Sequence, residues 1–182
     1  MPMECGESMI RVNDMVLYGI DGICRVTGVT TRMVAGKPAE FFVLKPVGLQ
    51  GSTIYVPAAN EALVSRMQRL LSLDETMALI RSIPGEETLW IEDDLKRRAA
   101  YDRILQGGDR REIVRVIKTL YLRGEQLKQE RRKMHAADER LMKEAEKRLY
   151  DEFAHVLRIE PGQVPPFISR TIGEVAGSEL IQ

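Results

Sequence analysis

The fold is decided by residues 10–58, which read IRVNDMVLYGIDGICRVTGVTTRMVAGKPAEFFVLKPVGLQGSTIYVPA. Short runs rich in β-branched and aromatic residues alternate here with glycine and proline, which is typical of strands joined by tight turns. The runs are residues 15–18, 23–29, 41–44 and 53–56. Four or five strands in about 50 residues predict a small, strongly bent sheet or barrel, and its surface is a better candidate for binding than its interior.

The hydrophobic period changes after Pro57, where apolar residues begin to recur every three or four positions. The tetrapeptides Ser72-Leu73-Asp74-Glu75 and Asp109-Arg110-Arg111-Glu112 have the capping-box pattern and precede apolar helical stripes. A further helix is predicted from about Ala136 to Leu157. It ends before Glu160-Pro161-Gly162, because proline cannot continue the helical hydrogen bonds.

The chain is therefore predicted to be an α+β protein with two domains and a tail. The loose tail is predicted because Pro165 and Pro166 and two glycines follow the last helix. The predicted boundaries are 1–58 for the β domain, 59–162 for the all-helical domain and 163–182 for the flexible tail.

The composition excludes few functions by itself. Lys and Arg number 27, as do Asp and Glu, so the net charge is zero and indicates no partner. No run approaches the roughly 20 apolar residues of a membrane helix, and no export signal is evident, so we expect a cytoplasmic protein without a membrane partner. Cys5 and Cys24 lack the spacing of a zinc or redox site and are expected to be reduced thiols, with Cys24 in a core.

Positive charge is concentrated in the helical part of the chain. The segment from Lys96 to Arg148 contains 17 basic and 9 acidic residues, a local excess of eight positive charges. A solvated helical surface of mixed charge is the ordinary explanation of such a segment. The alternative is a nucleic-acid surface, because phosphate neutralisation supplies most non-specific affinity.

Trp90 is the single tryptophan and lies just ahead of this basic segment. A helix beginning near Thr88 would place Arg97, Arg98 and Tyr101 on the same side as Trp90. Trp90 would then lie between the core and the basic face. Trp90 is then either a core or interface residue, as tryptophan usually is, or an exposed ring that stacks on a base or wedges into a base step.

Catalytic and cofactor motifs are not evident in the sequence. The glycines near residues 48–53 lack the spacing and the lysine of a phosphate-binding loop. His135 and His155 have no third ligand nearby and make a poor zinc site. Glu92, Asp93 and Asp94 would diverge by about 100° per residue on a helix and could not converge on one metal ion. We expect no enzyme activity, no cofactor and no metal.

The order of these features resembles the CarD/CdnL family of bacterial RNA polymerase-binding transcription regulators, over nearly all of residues 10–158. The resemblance rests on Val12–Tyr18 followed by Gly22, Glu40–Leu44 with Lys45, Tyr55–Asn60, and the Gly108-Asp109 turn. It implies a Tudor-like β domain that binds the β subunit of RNA polymerase. It also implies a helical domain that contacts promoter DNA, in the minor groove and at the phosphates, and so stabilises the open complex.

The resemblance assigns roles to particular positions. Arg32 matches a basic residue of the polymerase-binding face, and Tyr55 stands where familiar members have another arginine before the Val-Pro pair, so this β-domain interface is expected to differ in detail. Lys96-Arg97 matches the paired basic residues of a DNA-facing helix, but Trp90 lies further ahead of that pair than in familiar members. The residues predicted to contact DNA are Trp90, Lys96, Arg97, Arg98, Arg110 and Arg111.

Competing hypotheses come from other functional classes. A protein-interaction adaptor without DNA contact would show a buried Trp90 and no continuous basic face. A metal-dependent nuclease would need converging carboxylates, which the spacing does not provide. We expect a monomer, with an edge-paired dimer as the alternative if a strand edge is exposed.

Overall fold

The computed structural model describes residues 10–48 and 51–179. The chain divides into two compact units, with the boundary between Leu70 and Leu71. The first is a five-stranded antiparallel sheet with one short helix, and the second is helical. The predicted α+β class is confirmed.

The strands of the first unit follow the order β4-β3-β2-β1-β5. A bulge between Val26 and Gly28 bends the long β2–β3 hairpin, because one extra residue on β2 interrupts the register. The elements are β1 (Met15–Tyr18), β2 (Gly22–Val34), β3 (Lys37–Pro46), β4 (Ile54–Pro57), α1 (Glu61–Val64) and β5 (Met67–Arg69).

One face of this sheet covers a small apolar core. The side chains alternate between the two faces, so every second residue of a strand points to the core. The buried residues are Val16, Cys24, Val26, Leu44, Val56, Val64 and Met67. The predicted burial of Cys24 is confirmed, and burial raises the pKa of its thiol to about 11. Cys5 lies outside the described residues.

The described part of the second unit contains five α-helices and two short 3-10 helices, and two of the α-helices begin at the predicted caps. Ser72 and Glu75 form the reciprocal capping box of α2, and Asp109 accepts from the N–H groups of Arg111 and Glu112 at the start of α4. The helices are α2 (Leu73–Ser82), α3 (Asp94–Gly107), α4 (Arg110–Gln129), α5 (Ala136–Leu157) and α6 (Val164–Glu179). Among the described residues, no helix is long and apolar enough to cross a membrane.

The observed boundaries differ from the predicted ones in two places. The first unit ends at Leu70 rather than at residue 58, because β5 pairs with β1 and completes the sheet. The predicted loose tail contains α6, whose Val164 is fully buried in the helical core. Pro165 and Pro166 are compatible with that helix because they lie in its first turn, where no N–H is needed for the helical ladder.

Candidate interfaces of the two units

The sheet of the first unit has a second face that carries basic and aromatic side chains. Residues 39, 41, 43 and 45 of β3 alternate with the core residues, and cross-strand partners share their face. We call this set the outer face: Arg25, Arg32, Ala39, Phe41, Val43, Lys45 and Tyr55. Its three cations have no acidic residue among them.

Arg32 and Tyr55, predicted together for polymerase binding, meet on the outer face. The Arg32 guanidinium carbon lies 3.7 Å from the centre of the Tyr55 ring. Tyr55 is 39% exposed, so the ring is available to a partner even with the guanidinium stacked on it. The contact is a cation–π interaction that orients the Arg32 side chain across the sheet.

On the helical unit, Trp90 lies in an irregular segment, residues 83–93, that is attached to α3 and α4 by side chains. Lys118 Nζ donates to the carbonyls of Ile83, Pro84 and Glu86 at 3.1, 2.7 and 2.7 Å. Further along, the N–H of Leu89 donates to Thr119 Oγ1 at 2.8 Å. These bonds hold the segment to α4, and the Ile83 carbonyl also accepts from the N–H of Glu86 in a short 3-10 helix, Ile83–Gly85.

Two further bonds come from α3. The Tyr101 hydroxyl donates to the carbonyl of Leu89 at 2.7 Å, and Arg97 Nη1 donates to that of Ile91 at 2.8 Å. Burial raises the pKa of Tyr101 to about 12, so the hydroxyl keeps the proton that it donates. The segment is therefore held along its length, although only its first three residues, Ile83–Gly85, have regular structure.

The predicted start of the Trp90 helix near Thr88 is wrong. The helix begins at Asp94, and Asp93 is its N-cap, accepting from the N–H of Lys96 at 2.9 Å. The side-chain oxygen of Asp93 satisfies an N–H that the helix itself leaves without a partner, so the acidic run favours a helix start here rather than six residues earlier.

The half-buried Trp90 indole has two arginine guanidinium groups over its ring. The guanidinium carbons of Arg97 and Arg123 lie 4.3 and 5.0 Å from the ring centre. Its Nε1–H donates to Glu92 at 2.9 Å. Trp90 is therefore at the edge of the core, as predicted, and Arg97 approaches it from α3 although Trp90 is not itself helical.

Arg97 is not placed where a phosphate contact would require it. Its side chain is 1% exposed and pairs with Asp138 of α5 at 2.8 Å and with Asp94 at 2.7 Å. The hydrogen bond from Arg97 lowers the pKa of Asp94, despite an opposing contribution from desolvation. The Arg97 charge is compensated internally, so its role is to hold α3, α5 and Trp90 together.

The remaining predicted DNA contacts divide into internal and surface residues. Arg110 forms a bidentate pair with buried Glu152, with both distances 3.0 Å, and is also internal. Arg111 is exposed and donates to Glu86 at 2.7 Å. Lys96 is exposed and Arg98 half-buried. The structure thus brings Trp90 and Arg97 together but places Arg97 and Arg110 inside.

Comparison with known families concerns the first unit. Residues 10–70 match the family model of the CarD-like/TRCF RID domain. The first unit is therefore similar to a CarD-like/TRCF RID domain, and we refer to it below as the RID domain. The match confirms the predicted resemblance to CarD-like proteins, and its end coincides with the boundary at Leu70.

Domains of this family are non-enzymatic and interact with RNA polymerase, so the RID domain indicates a polymerase partner and a role in transcription. Arg32 and Tyr55 both belong to it. Trp90 and every predicted DNA contact lie in the helical unit, beyond the match. In the described part of the chain, no group of three or more His, Cys, Asp or Glu residues could hold a metal ion.

Sequence reasoning missed three residues that build the Trp90 environment: Lys118, Arg123 and Asp138. Each lies between 28 and 48 positions from Trp90, so no local pattern connects them. The pattern of α4 did contain one signal. Lys118, Thr119 and Arg123 lie close to the buried Leu120, so a segment packed on α4 at this point would contact them.

Proposed function

We propose that this chain is a transcription regulator that docks on the β subunit of RNA polymerase through the outer face of a Tudor-like RID domain. In this proposal the helical unit contacts promoter DNA at the upstream edge of the transcription bubble. The contact stabilises the open complex and reads little sequence. The observation that carries the proposal is the group of three cations on the outer face of a domain whose family interacts with RNA polymerase.

The outer face contains like charges that repel each other. Arg25 and Lys45 lie directly opposite each other in neighbouring strands, an arrangement that destabilises a sheet because the charges repel. An acidic partner surface would relieve this repulsion. Arg32, stacked on Tyr55, offers a third cation beside an exposed ring, the combination that is enriched at protein interfaces.

A free strand edge provides a second element for docking. β1 pairs with residues 22–25 of β2, and Asn13 and Asp14 bond to Val26. Beyond this point, among the described residues, no strand lies beside residues 27–34 on that edge. Val29, Met33 and Val34 are exposed there. An extended segment of the polymerase could pair with this edge, and a second copy of the chain is the competing occupant.

On the helical unit, Trp90 and the surface cations support DNA contact. Lys96, Arg98 and Arg111 remain as candidate phosphate contacts, whereas Arg97 and Arg110 act by positioning. An indole and a few cations suit an unpaired base or a minor groove without selecting a sequence, because every base offers a ring face and every nucleotide a phosphate.

The polymerase claim is tested by pull-down of core RNA polymerase with the full chain carrying Arg32→Glu. We expect retention to fall at least about tenfold, because an acidic side chain would face an acidic partner surface across the interface. The matched control is Arg66→Glu, the same charge change on an exposed residue between α1 and β5. Equal retention by both variants would remove the outer face from the proposal.

The DNA claim is tested by the lifetime of an open promoter complex with Trp90→Phe and Trp90→Ala. Loss of the stacking surface should shorten the lifetime about tenfold for the alanine variant and less for phenylalanine. Circular dichroism of both variants controls for folding.

A protein-interaction adaptor remains the second candidate, and one observation favours it. Arg97 and Arg110, two of the five predicted basic DNA contacts, are engaged internally, which thins the basic surface. Polymerase retention with an unchanged open-complex lifetime in Trp90→Ala would select the adaptor.

A further inference from the structure

The two arginines that cover Trp90 differ in how firmly they are held. Arg97 is buried, pairs with Asp94 and Asp138, and donates to the carbonyl of Ile91. All three partners belong to α3, α5 or the Trp90 segment. The guanidinium is therefore held in place next to the indole. Moving it would strand the buried carboxylate of Asp138, which is a costly change.

Arg123 also lies over the Trp90 ring, but it is anchored much more weakly. It lies half-buried on α4, and its Nη1 donates to Gln126 Oε1 at 2.8 Å, one turn along the same helix. No carboxylate is among its described salt-bridge partners, and its guanidinium lies farther from the ring, 5.0 Å against 4.3 Å for Arg97. This side chain can leave the indole without breaking an ion pair described in the structure.

We propose that Arg123 covers the stacking face of Trp90 in the free protein and gives way to an unpaired nucleobase. The displaced guanidinium then binds the phosphate of that nucleotide. The inference rests on the proposed DNA contact of the helical unit. It adds Arg123 to the site and states how the base binds, by displacing the guanidinium from the ring. The guanidinium can occupy the position of a base because it is planar and delocalised.

The exchange is favourable for two physical reasons. A base stacked on an aromatic ring is held more strongly than a partly hydrated arginine, and the displaced cation gains a phosphate in exchange for the ring. The contact with Arg97 and the hydrogen bond from Trp90 Nε1–H to Glu92 keep the ring in place. Little conformational freedom is therefore lost when a base binds.

Covering of the ring is tested first without DNA. Trp90 is the only tryptophan, so the fluorescence of the full chain reports on this site alone. Arg123→Gln should raise the acrylamide quenching constant about twofold, because a guanidinium no longer shields the ring. The control Arg103→Gln removes an exposed cation of α3 and should leave quenching unchanged. Equal quenching in wild type and Arg123→Gln would overturn the covering role.

The exchange is tested with an oligothymidylate of about 12 nucleotides, observed by tryptophan emission and by anisotropy of a label on the DNA. Wild type should show quenched emission on binding. Arg123→Gln should bind several-fold more weakly, with a log–log salt slope smaller by about 0.7, the value for one phosphate of a single strand. Arg123→Lys keeps the charge, so it should keep the slope, while its ring is more open to acrylamide than in wild type.

The outcomes separate this inference from the proposed function. If DNA binds with unchanged Trp90 emission, or if Arg123→Gln matches Arg103→Gln in affinity and slope, the inference fails while DNA contact stands. If wild type shows no DNA binding by anisotropy and Trp90→Ala leaves the open-complex lifetime unchanged, the proposed DNA contact fails and takes the exchange with it. A more open ring in Arg123→Gln would then show only a covering role.

Discussion

The RID domain and the helical unit use charged residues in opposite ways. The core of the RID domain is entirely apolar apart from the Cys24 thiol, and its cations Arg25, Arg32 and Lys45 lie on the outer face. The interior of the helical unit contains Arg97, Asp138 and Glu152. In one unit the basic residues lie on a surface, and in the other Arg97 and Arg110 form ion pairs that join its helices.

This difference shows when a basic residue is informative about function. In a strand the alternation of side chains assigns each residue to a face, so an arginine among core residues of opposite parity must be outside. On a helix between other helices, an arginine is exposed or buried according to partners on distant helices. Buried pairs such as Arg97–Asp138 contribute little net stability, but they penalise other arrangements of the helices.

The largest expected effect comes from breaking that buried pair. Arg97→Met leaves the Asp138 carboxylate buried without its cation and removes the hydrogen bond to the carbonyl of Ile91. We expect a loss of about 4 kcal/mol in the free energy of unfolding, measured by denaturant titration. The maximum of Trp90 emission should shift to longer wavelength, because the ring loses one of its covers.

The double variant Arg97→Met, Asp138→Leu is the matched control. Replacing both partners by apolar residues of similar size removes the stranded charge, so most of the lost stability should return. If the single variant were as stable as wild type, Arg97 would not be needed for the fold and would be available to bind DNA. The two units would then not differ in how they use basic residues.

The next effect tests the apolar core of the RID domain against its outer face. Leu44→Ala removes a fully buried side chain from the middle of the sheet and should cost about 3 kcal/mol, partly through the cavity it leaves. Arg32→Gln on the outer face should change stability by less than about 0.5 kcal/mol. Comparable losses in the two variants would mean that the outer face is structural rather than available to a partner.

The fold was predictable where local patterns specify it. The strand runs, the caps at Ser72 and Asp109 and the helix from Ala136 to Leu157 all follow from local chemistry. β5 was missed because three residues are too short to show an alternation, and its pairing with β1 is a long-range event. The tail was misjudged because prolines read as helix breakers, although at a helix start they are tolerated.

The candidate site was predictable in the sheet and only partly in the helices. The resemblance to the family assigned Arg32 and Tyr55 to polymerase binding, and the structure adds that the two side chains are in contact; the assignment itself stays a prediction. Arg97 and Arg110 were assigned to DNA because they belong to a basic segment. Their acidic partners, Asp138 and Glu152, lie 41 and 42 residues further along the chain, and no local pattern relates residues so far apart.

The smallest effect concerns the pair of exposed Arg111 with buried Glu86 in the helical unit and depends on pH. The hydrogen bond from Arg111 lowers the pKa of Glu86 below its ordinary value of 4.5, although desolvation acts in the other direction. Because the folded state favours the charged carboxylate, the pair stabilises the fold above pH 4.5. This contribution is lost as pH falls through the lowered pKa of the folded protein.

Glu86→Gln should therefore lower the melting temperature slightly at pH 7, and the difference from wild type should shrink as pH falls below 4.5. The control Glu87→Gln changes a neighbouring carboxylate whose side chain is 87% exposed, and it should show little difference at any pH. A gap between Glu86→Gln and wild type that stays constant from pH 7 to about 3 would mean that the ion pair with Arg111 contributes nothing. Arg111 would then be as available to a phosphate as Lys96, and the basic surface of the helical unit would be larger than its internal pairing indicates.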